Sequence, residues 1–429
     1  MLAADALPAG PLSYREQAAW NEFSTDRETF FKRGAVLAVD LPPSLDAAAV
    51  GDLVEAVCAR HAIFRTAYDT TAGRPVRHVL PSYPHVVAAA GESGQSGEAA
   101  QGAHGSCLLP DDLVRIRSAP GPHGGPTLSF GLNEMITDTW SCARLRAEVE
   151  LLGRGTAHTG GAPLEPLPFS YADYAREERE RPLPAATEAY WRGLLAGAGA
   201  AAVPAPDGPD PSGDPAGERI LVFPDHLTDA VRTACQRLRI SPFMVVTALV
   251  TMAVASLSDE RDITVTTMAS TRTGKWADVH GNFSNLTLLR TALPANPTFT
   301  EVLAATRRTV LGALARPVPY LRLAELTDVP LPRPAVRVHY LPSRAHHYNA
   351  TLDAHPSGAA WTEDADFADW PLDLGFAEDS RRRVAIWASY DARLFTHAAV
   401  GRLLDGCRRL LESVATDSDP TCRDLAGGS

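Results

Sequence analysis

Apolar positions along this chain recur in two periods, and the places where one period gives way to the other mark its elements. Leu45, Ala49, Leu53, Val54 and Val57 share one helical face behind a candidate N-cap at Ser44. Leu128, Phe130 and Leu132 alternate with Ser129 and Gly131, which predicts a half-buried strand. Leu145, Val149 and Leu152 then return to helical spacing, with Ser141 as the expected N-cap. In the second half, Leu227, Ala230, Val231, Ala234 and Leu238 predict a helix, and Ser241 with Pro242 opens another in the N-cap and N1 positions. Asp262 to Ser270 and Leu286 to Leu293 read as strands, and Thr298 with Glu301 has capping-box spacing ahead of a helix reaching Ala315. Val336, Val338 and Tyr340 alternate, as do Val384, Ile386, Ala388 and Tyr390, before a last helix carrying Val400, Leu403, Leu404, Cys407, Leu410, Leu411 and Val414. Helices and strands mix without a strict βαβ repeat, which places the fold in the α/β class, of α+β type.

Between these elements the chain turns to Gly, Pro and Ser. The opening is a loose Pro/Gly start from which Leu12, Tyr14 and Trp20 cover a core. Gly91 to Gly105 reads as a mobile loop, and Gly153 to Pro168 and Ala196 to Gly217 read as linkers. With 429 residues, two domains or large lobes are expected rather than one core. A hydrophobic share of 45% with 21% charged residues is that of a globular protein, and a net charge of −11 argues against an exposed surface for nucleic acid. The six cysteines form no CxxC pair and no metal-ligand spacing, so reduced thiols in a cytoplasm are expected. The first residues lack a basic region before an apolar run, so no signal peptide is expected. The longest apolar run, Phe243 to Leu257, carries too many Thr and Ser to span a bilayer and reads as a buried helix.

Candidate chemistry concentrates where the strand Leu128–Leu132 meets the next helix. Asn133, Glu134 and Asp138 lie there among Met135, Ile136 and Trp140, and two carboxyl groups at a strand end shift their pKa values if water is excluded. The bland alternative is a polar turn that caps a helix. Arg60, His61 and Arg65 form either a polar site or the cationic end of a helix. His346 and His347 suggest a metal, but an adjacent pair without a Cys or carboxylate pattern reads as surface. No dinucleotide fingerprint, P-loop, GxSxG or HExxH occurs.

Several segments, in order, resemble motifs of the condensation domains of nonribosomal peptide synthetases and their freestanding relatives. PLSYREQAAW is similar to the opening motif through Ser13 and Trp20, with Glu16 and Ala18 where the family has Gln and Arg. RHAIFRTAY resembles the RHxxLRTxF segment, and SYADYAREE with AYWRGLLAG resembles the region before the second lobe. ITVTTMASTR resembles the strand ending in the family's Arg, here Arg272. HGNFSNLTLLR resembles GxFxNTLxLR through Gly281, Phe283, Asn285, Leu289 and Arg290. PVPYLRLAEL and DWPLDLGF, the latter through Leu372, Asp373 and Leu374, match the late motifs.

The resemblance implies two chloramphenicol-acetyltransferase-like lobes in a V-shaped arrangement with a central tunnel, at residues 1–175 and 176–429, the first carrying the motif loop. It implies no bound cofactor, because the substrates are phosphopantetheine-tethered to an acyl or peptidyl carrier protein. The acceptor is a small amine or a second carrier-bound group, and neither a nucleic acid nor a membrane is expected as partner. The family's HHxxxDG motif falls on Asn133 to Thr139, where only Asp138 survives. By resemblance Asp138 is structural and pairs with Arg272, while Glu134 stands in the place of the reactive His as base or as anchor for a cationic acceptor. Thr139 replaces the Gly and takes up tunnel space. Asn133, Thr139, Trp140, Ser141 and Asn285 are the expected tunnel or substrate-binding residues, with no metal.

Two functions follow from the resemblance. One is an acyltransferase joining a carrier-bound thioester to an amine. A thioester is already activated, and general-base help is worth only roughly 10²–10⁴-fold against the ~7–11 kcal/mol available from positioning. The other is a scaffold that has lost catalysis and recruits partners, as the recruitment domains of glycopeptide synthetases recruit haem monooxygenases. Heterocyclisation would need Asp in place of Asn133.

Overall fold

The computed structural model describes residues 7–71, 73–82, 87–89, 107–159, 164–198, 216–258, 260–326, 331, 335–341, 370–378 and 384–426. Gly91–Gly105, the His346–His347 pair and most of the second linker stretch lie outside them. Contacts divide the described residues into two compact units, one holding those up to Pro182 with Ser270–Asn285, the other Leu183–Ala269 and those from Leu286 on.

The first unit opens on β1 (Leu7–Pro11), α1 (Tyr14–Thr25), α2 (Arg27–Lys32), β2 (Gly34–Asp40) and α3 (Ala47–Arg60). Within the Pro/Gly start expected to be loose, Leu7–Pro11 is a strand, antiparallel to β4, because a ladder is made by backbone groups and needs no side-chain pattern. Asp46 caps α3 by accepting the Ala49 N–H at 2.8 Å, two residues after the expected Ser44. There follow β3 (Thr66–Thr71), β4 (Arg74–Val79), β5 (Val87–Ala89), α4 (Pro110–Leu113), β6 (Val114–Pro120), β7 (Pro126–Asn133), α5 (Thr139–Thr159) and α6 (Tyr171–Glu180). The strands form two sheets, ordered β1-β4-β3 and β2-β7-β6-β5. Inward residues of β2, β6 and β7, with Val50, Leu53, Val54 and Val57 of α3 and Leu145 and Val149 of α5, make one core, which Trp276 and Phe283 of the returning segment join.

The second unit contains α7 (Ala185–Leu195), β8 (Ala216–Val222), α8 (Asp225–Leu238), α9 (Pro242–Ser256), β9 (Asp262–Ser270), β10 (Ser284–Ala292), α10 (Phe299–Leu314), α11 (Tyr320–Leu326), β11 (Val336–Leu341), β12 (Leu372–Glu378), β13 (Val384–Asp391) and α12 (His397–Ala415). Its sheet runs β10-β9-β11-β12-β13-β8. Strand β11 is parallel to β9 and β12, whereas β12–β13 and β13–β8 are antiparallel, as the mixed class requires. Helix α9 is buried from Met244 to Ala255 and forms the centre of this unit's core. Among the described residues no single helix is long and apolar enough to cross a membrane.

Candidate functional site

Strand β7 delivers Asn133 to the start of the loop, in register with Gly34 on β2. The two strands approach so closely there that a Cβ on Gly34 would lie 2.4 Å from the Leu132 carbonyl oxygen, which excludes any other residue without a shift. Asn133 is buried and donates through Nδ2 to the Phe30 carbonyl at 2.9 Å, while its Oδ1 accepts the Met135 N–H at 2.8 Å. Its amide thus stands in for backbone partners at the turn. Met135 and Ile136, fully buried, pin the loop to the core. The helix then starts at Thr139, because Asp138 Oδ1 accepts the Ser141 N–H at 2.7 Å and so provides the cap expected of Ser141.

Asp138 does more than cap. Arg272 Nη2 lies 3.1 Å from each of its carboxylate oxygens, and the Phe283 N–H donates to Oδ2 at 2.9 Å. The same Arg272 nitrogen donates to Ser141 Oγ at 2.7 Å, and its Nη1 donates to the Trp276 and Val279 carbonyls at 2.9 and 2.5 Å. Its guanidinium lies 3.8 Å from the Phe283 ring centroid. Burial pulls the Arg272 pKa below its ordinary value against the opposing pull of Asp138. Ser141 Oγ completes the brace, donating to the Gly281 carbonyl at 2.7 Å and accepting the Gly281 N–H at 3.1 Å.

Glu134 is held differently. Its N–H donates to the Arg33 carbonyl at 3.2 Å, and its carbonyl accepts from Asn282 Nδ2 at 2.6 Å, so its main chain is fixed from both sides. Its side chain is 37% exposed and lies between two guanidinium groups: Arg15 bonds Oε1, and Arg33 Nη1 stands 3.7 Å from Oε2. Arg33 is steadied by Glu22 Oε1 at 2.9 Å. Of the other expected site residues, Thr139 and Trp140 are exposed, and Trp140 donates through Nε1 to the Ala277 carbonyl at 3.0 Å. Asn285 is buried at the start of β10.

Arg15, Arg33 and Asn282 were not among the sequence candidates, although Arg15 and Asn282 lie inside the motif stretches. A buried network behind the loop was also missed. Glu16, where the family has Gln, pairs with Arg77, accepts from Tyr68 Oη at 2.7 Å and accepts the Ser13 N–H at 2.7 Å. Tyr171 joins it to the returning segment, with Oη 3.1 Å from Ser13 Oγ and donating to the Asn282 carbonyl. The Arg60–His61–Arg65 stretch is structural. His61 Nε2 lies 2.6 Å from Glu148 Oε2, and Arg65 donates to backbone carbonyls, including that of Cys58 at 3.2 Å. Burial pushes the Glu148 carboxyl up, but His61 and Arg60 together hold it below its ordinary value.

The loop presents neither a histidine nor a nucleophile. Cys142, next to it, is largely buried, which pushes its thiol up to about 11, far from a reactive thiolate. Among the described residues no cluster of His, Cys, Asp and Glu could hold a metal ion. What the arrangement offers is a rigid frame around Asp138 and a partly exposed carboxylate shared by two arginines.

Comparison with known proteins places this frame in a family. The condensation domain model matches residues 25–426. Phosphinothricin tripeptide synthetase PhsC of Streptomyces viridochromogenes is 26% identical over 95% of this chain, which spans 39% of that synthetase. The X-domain from teicoplanin biosynthesis shares the fold at a TM-score of 0.77, with 24% identity and 97% of both chains covered. The X-domain in its complex with OxyB gives 0.75, with 25% identity and 97% and 95% coverage. With the mixed α/β fold, the Asp138–Arg272 frame and a family match over nearly all its length, this chain belongs to the condensation domain family of nonribosomal peptide synthetase systems.

Proposed function

We propose that this chain has given up base catalysis at its motif loop and serves a peptide-assembly system as a binding unit, holding carrier-tethered intermediates or a tailoring partner. One observation carries the reading: Glu134, in the place of the reactive His, has a guanidinium group at each carboxylate oxygen. A base must present a lone pair to the proton it removes, and here Arg15 takes one acceptor site on Oε1 while the Arg33 charge stands beside Oε2. Asn133 turns inward to the backbone and serves only the turn. Likeness to an X-domain solved in complex with OxyB supports recruitment of a partner. The substrates on this reading remain tethered to carriers, and no cofactor is needed for binding them.

A second reading, condensation of a carrier-bound acyl thioester with an amine, is favoured by the exposure of Glu134, which lets an acceptor ammonium reach it. On that reading Glu134 anchors the amine and positioning supplies the rate. Intact-mass analysis separates the two. Loaded carriers and amines are mixed with wild type and Glu134→Gln, and binding of the loaded carriers and of a tailoring oxygenase is measured alongside. Binding without transfer is expected. Any acyl transfer by the wild type would overturn the binding reading, and a fall of roughly 10²–10⁴-fold in Glu134→Gln would make the carboxylate its working group.

A further inference from the structure

Two guanidinium groups meet at Glu134, and a second carboxylate, Glu22, holds one of them. Arg15 comes from the first turn of α1 and Arg33 from the junction of α2 and β2, and they face different oxygens of the same group. Glu22 holds Arg33 through Nη2 at 2.9 Å, the other terminal nitrogen from the one that faces Glu134, so that guanidinium has an anchor of its own. The Glu134 main chain is also fixed independently of its side chain, through the Arg33 carbonyl and Asn282. The carboxylate can therefore swing out through its own torsions without unmaking the loop. Arg15, Arg33 and Glu134 side chains are 23%, 26% and 37% exposed, within reach of a solute.

From this geometry we propose that Arg15 and Arg33 form an oxyanion-binding clamp, which Glu134 occupies in the free protein and which an external carboxylate or phosphate enters by displacing it. Two guanidinium groups converging on one planar anion match the way arginine recognises carboxylates and phosphates. Glu134 is then an internal competitor: together with Glu22 it balances the two arginine charges and keeps the clamp closed to weak anions, and it yields to a ligand held by further contacts. The inference rests on the reading of the loop as a binding site, and it names the ligand chemistry.

The test uses small probes on the whole chain: acetate for a carboxylate source and dimethyl phosphate for a phosphodiester source. Affinity is read from the amide shifts of Arg15, Arg33 and Glu134 in low salt. Glu134→Gln keeps the shape and removes the competitor, so at least one probe should bind about tenfold tighter than to wild type, as expected for one unit charge a few ångströms away at a partly exposed site. Adding Arg15→Gln or Arg33→Gln to Glu134→Gln should abolish the gain, with thermal melts confirming that each variant is folded. The gain should also shrink as salt is raised. The probe that gains more identifies the source. If Glu134→Gln binds both probes no better than wild type, or keeps its gain without Arg15 and without Arg33, the clamp does not exist. That outcome leaves partner binding untouched, whereas acyl transfer would sink the binding reading while leaving the anion affinities as measured.

Discussion

Asp138 and Glu134 stand four residues apart in one loop and both face arginine, yet their surroundings give them opposite uses. Asp138 has a side-chain exposure of 11%, its Arg272 only 5%, and three donors converge on it: a guanidinium, the Ser141 N–H and the Phe283 N–H. Glu134 is 37% exposed, and the guanidinium groups of Arg15 and Arg33 face its carboxylate. A desolvated pair cannot exchange partners without stranding a charge, so the Asp138 frame is structural. An exposed pair competes with water and salt at every moment, so the Glu134 contact is replaceable. The loop thus combines a fixed end with an exchangeable one, and burial alone separates them.

Breaking the fixed end should have the largest effect. Asp138→Ala or Arg272→Ala leaves its partner buried and uncompensated, at a cost of ~3–5 kcal/mol. Denaturant unfolding should show both losses, and the double variant should lose less than their sum because the two share one interaction. Ser141→Ala comes next. It removes one hydroxyl from Gly281 and Arg272, and about 1–3 kcal/mol of stability should go with it, with the helix start kept because Asp138 remains as cap.

The third test uses pH. His280 lies beside Gly281 in the frame, fully buried with its ring 4.6 Å from that of Phe64 and 5.7 Å from that of His61. Burial, with His61 and Arg272 adding to it, holds its pKa well below the ordinary value. The unfolded chain therefore binds a proton below about pH 6.5 that the folded chain refuses, and stability falls as pH drops below that value by up to ~1.4 kcal/mol per pH unit. Urea unfolding of wild type at pH 7.5, 6.0 and 5.0 should show this slope, and His280→Phe should flatten it. Glu148, whose folded pKa is lowered, adds its own loss only at more acidic pH, as its carboxylate is protonated. The smallest effect belongs to the exchangeable end. Glu134→Gln should change stability by less than about 1 kcal/mol, since an exposed pair is screened. A larger loss in a melt would show that Glu134 belongs to the frame after all.

Local pattern made much of the fold legible. Helices α8, α9, α10 and α12 and strands β7, β9, β11 and β13 follow from apolar spacing, because a helix or strand must bury one face and that face is written at period 3.6 or 2. The Thr298–Glu301 capping box and the Ser241–Pro242 start are likewise local, with both partners within one turn. Caps were misplaced where two candidates stood close together: Ser44 and Asp46, Ser141 and Asp138. Each is chemically able to cap, and only the backbone direction at the helix start selects between them.

By itself, the sequence determined the class of the fold, the position of the motif loop and the presence there of Asn133 and Glu134 where the family has a histidine pair, with Asp138 kept. The resemblance also implied the pairing of Asp138 with Arg272, whereas only the tertiary structure set two arginines around Glu134 and decided how deeply each pair is buried. Arg272 lies 134 residues from Asp138, Arg15 lies 119 from Glu134, and Asn282 lies 148 from it. No periodicity links positions so far apart, because their meeting depends on the return of Ser270–Asn285 to the first unit and on the packing of α1 against the loop. Burial, which makes one ion pair a brace and leaves the other open to exchange, is a property of the folded chain, since it is set by which distant segments come to cover each pair.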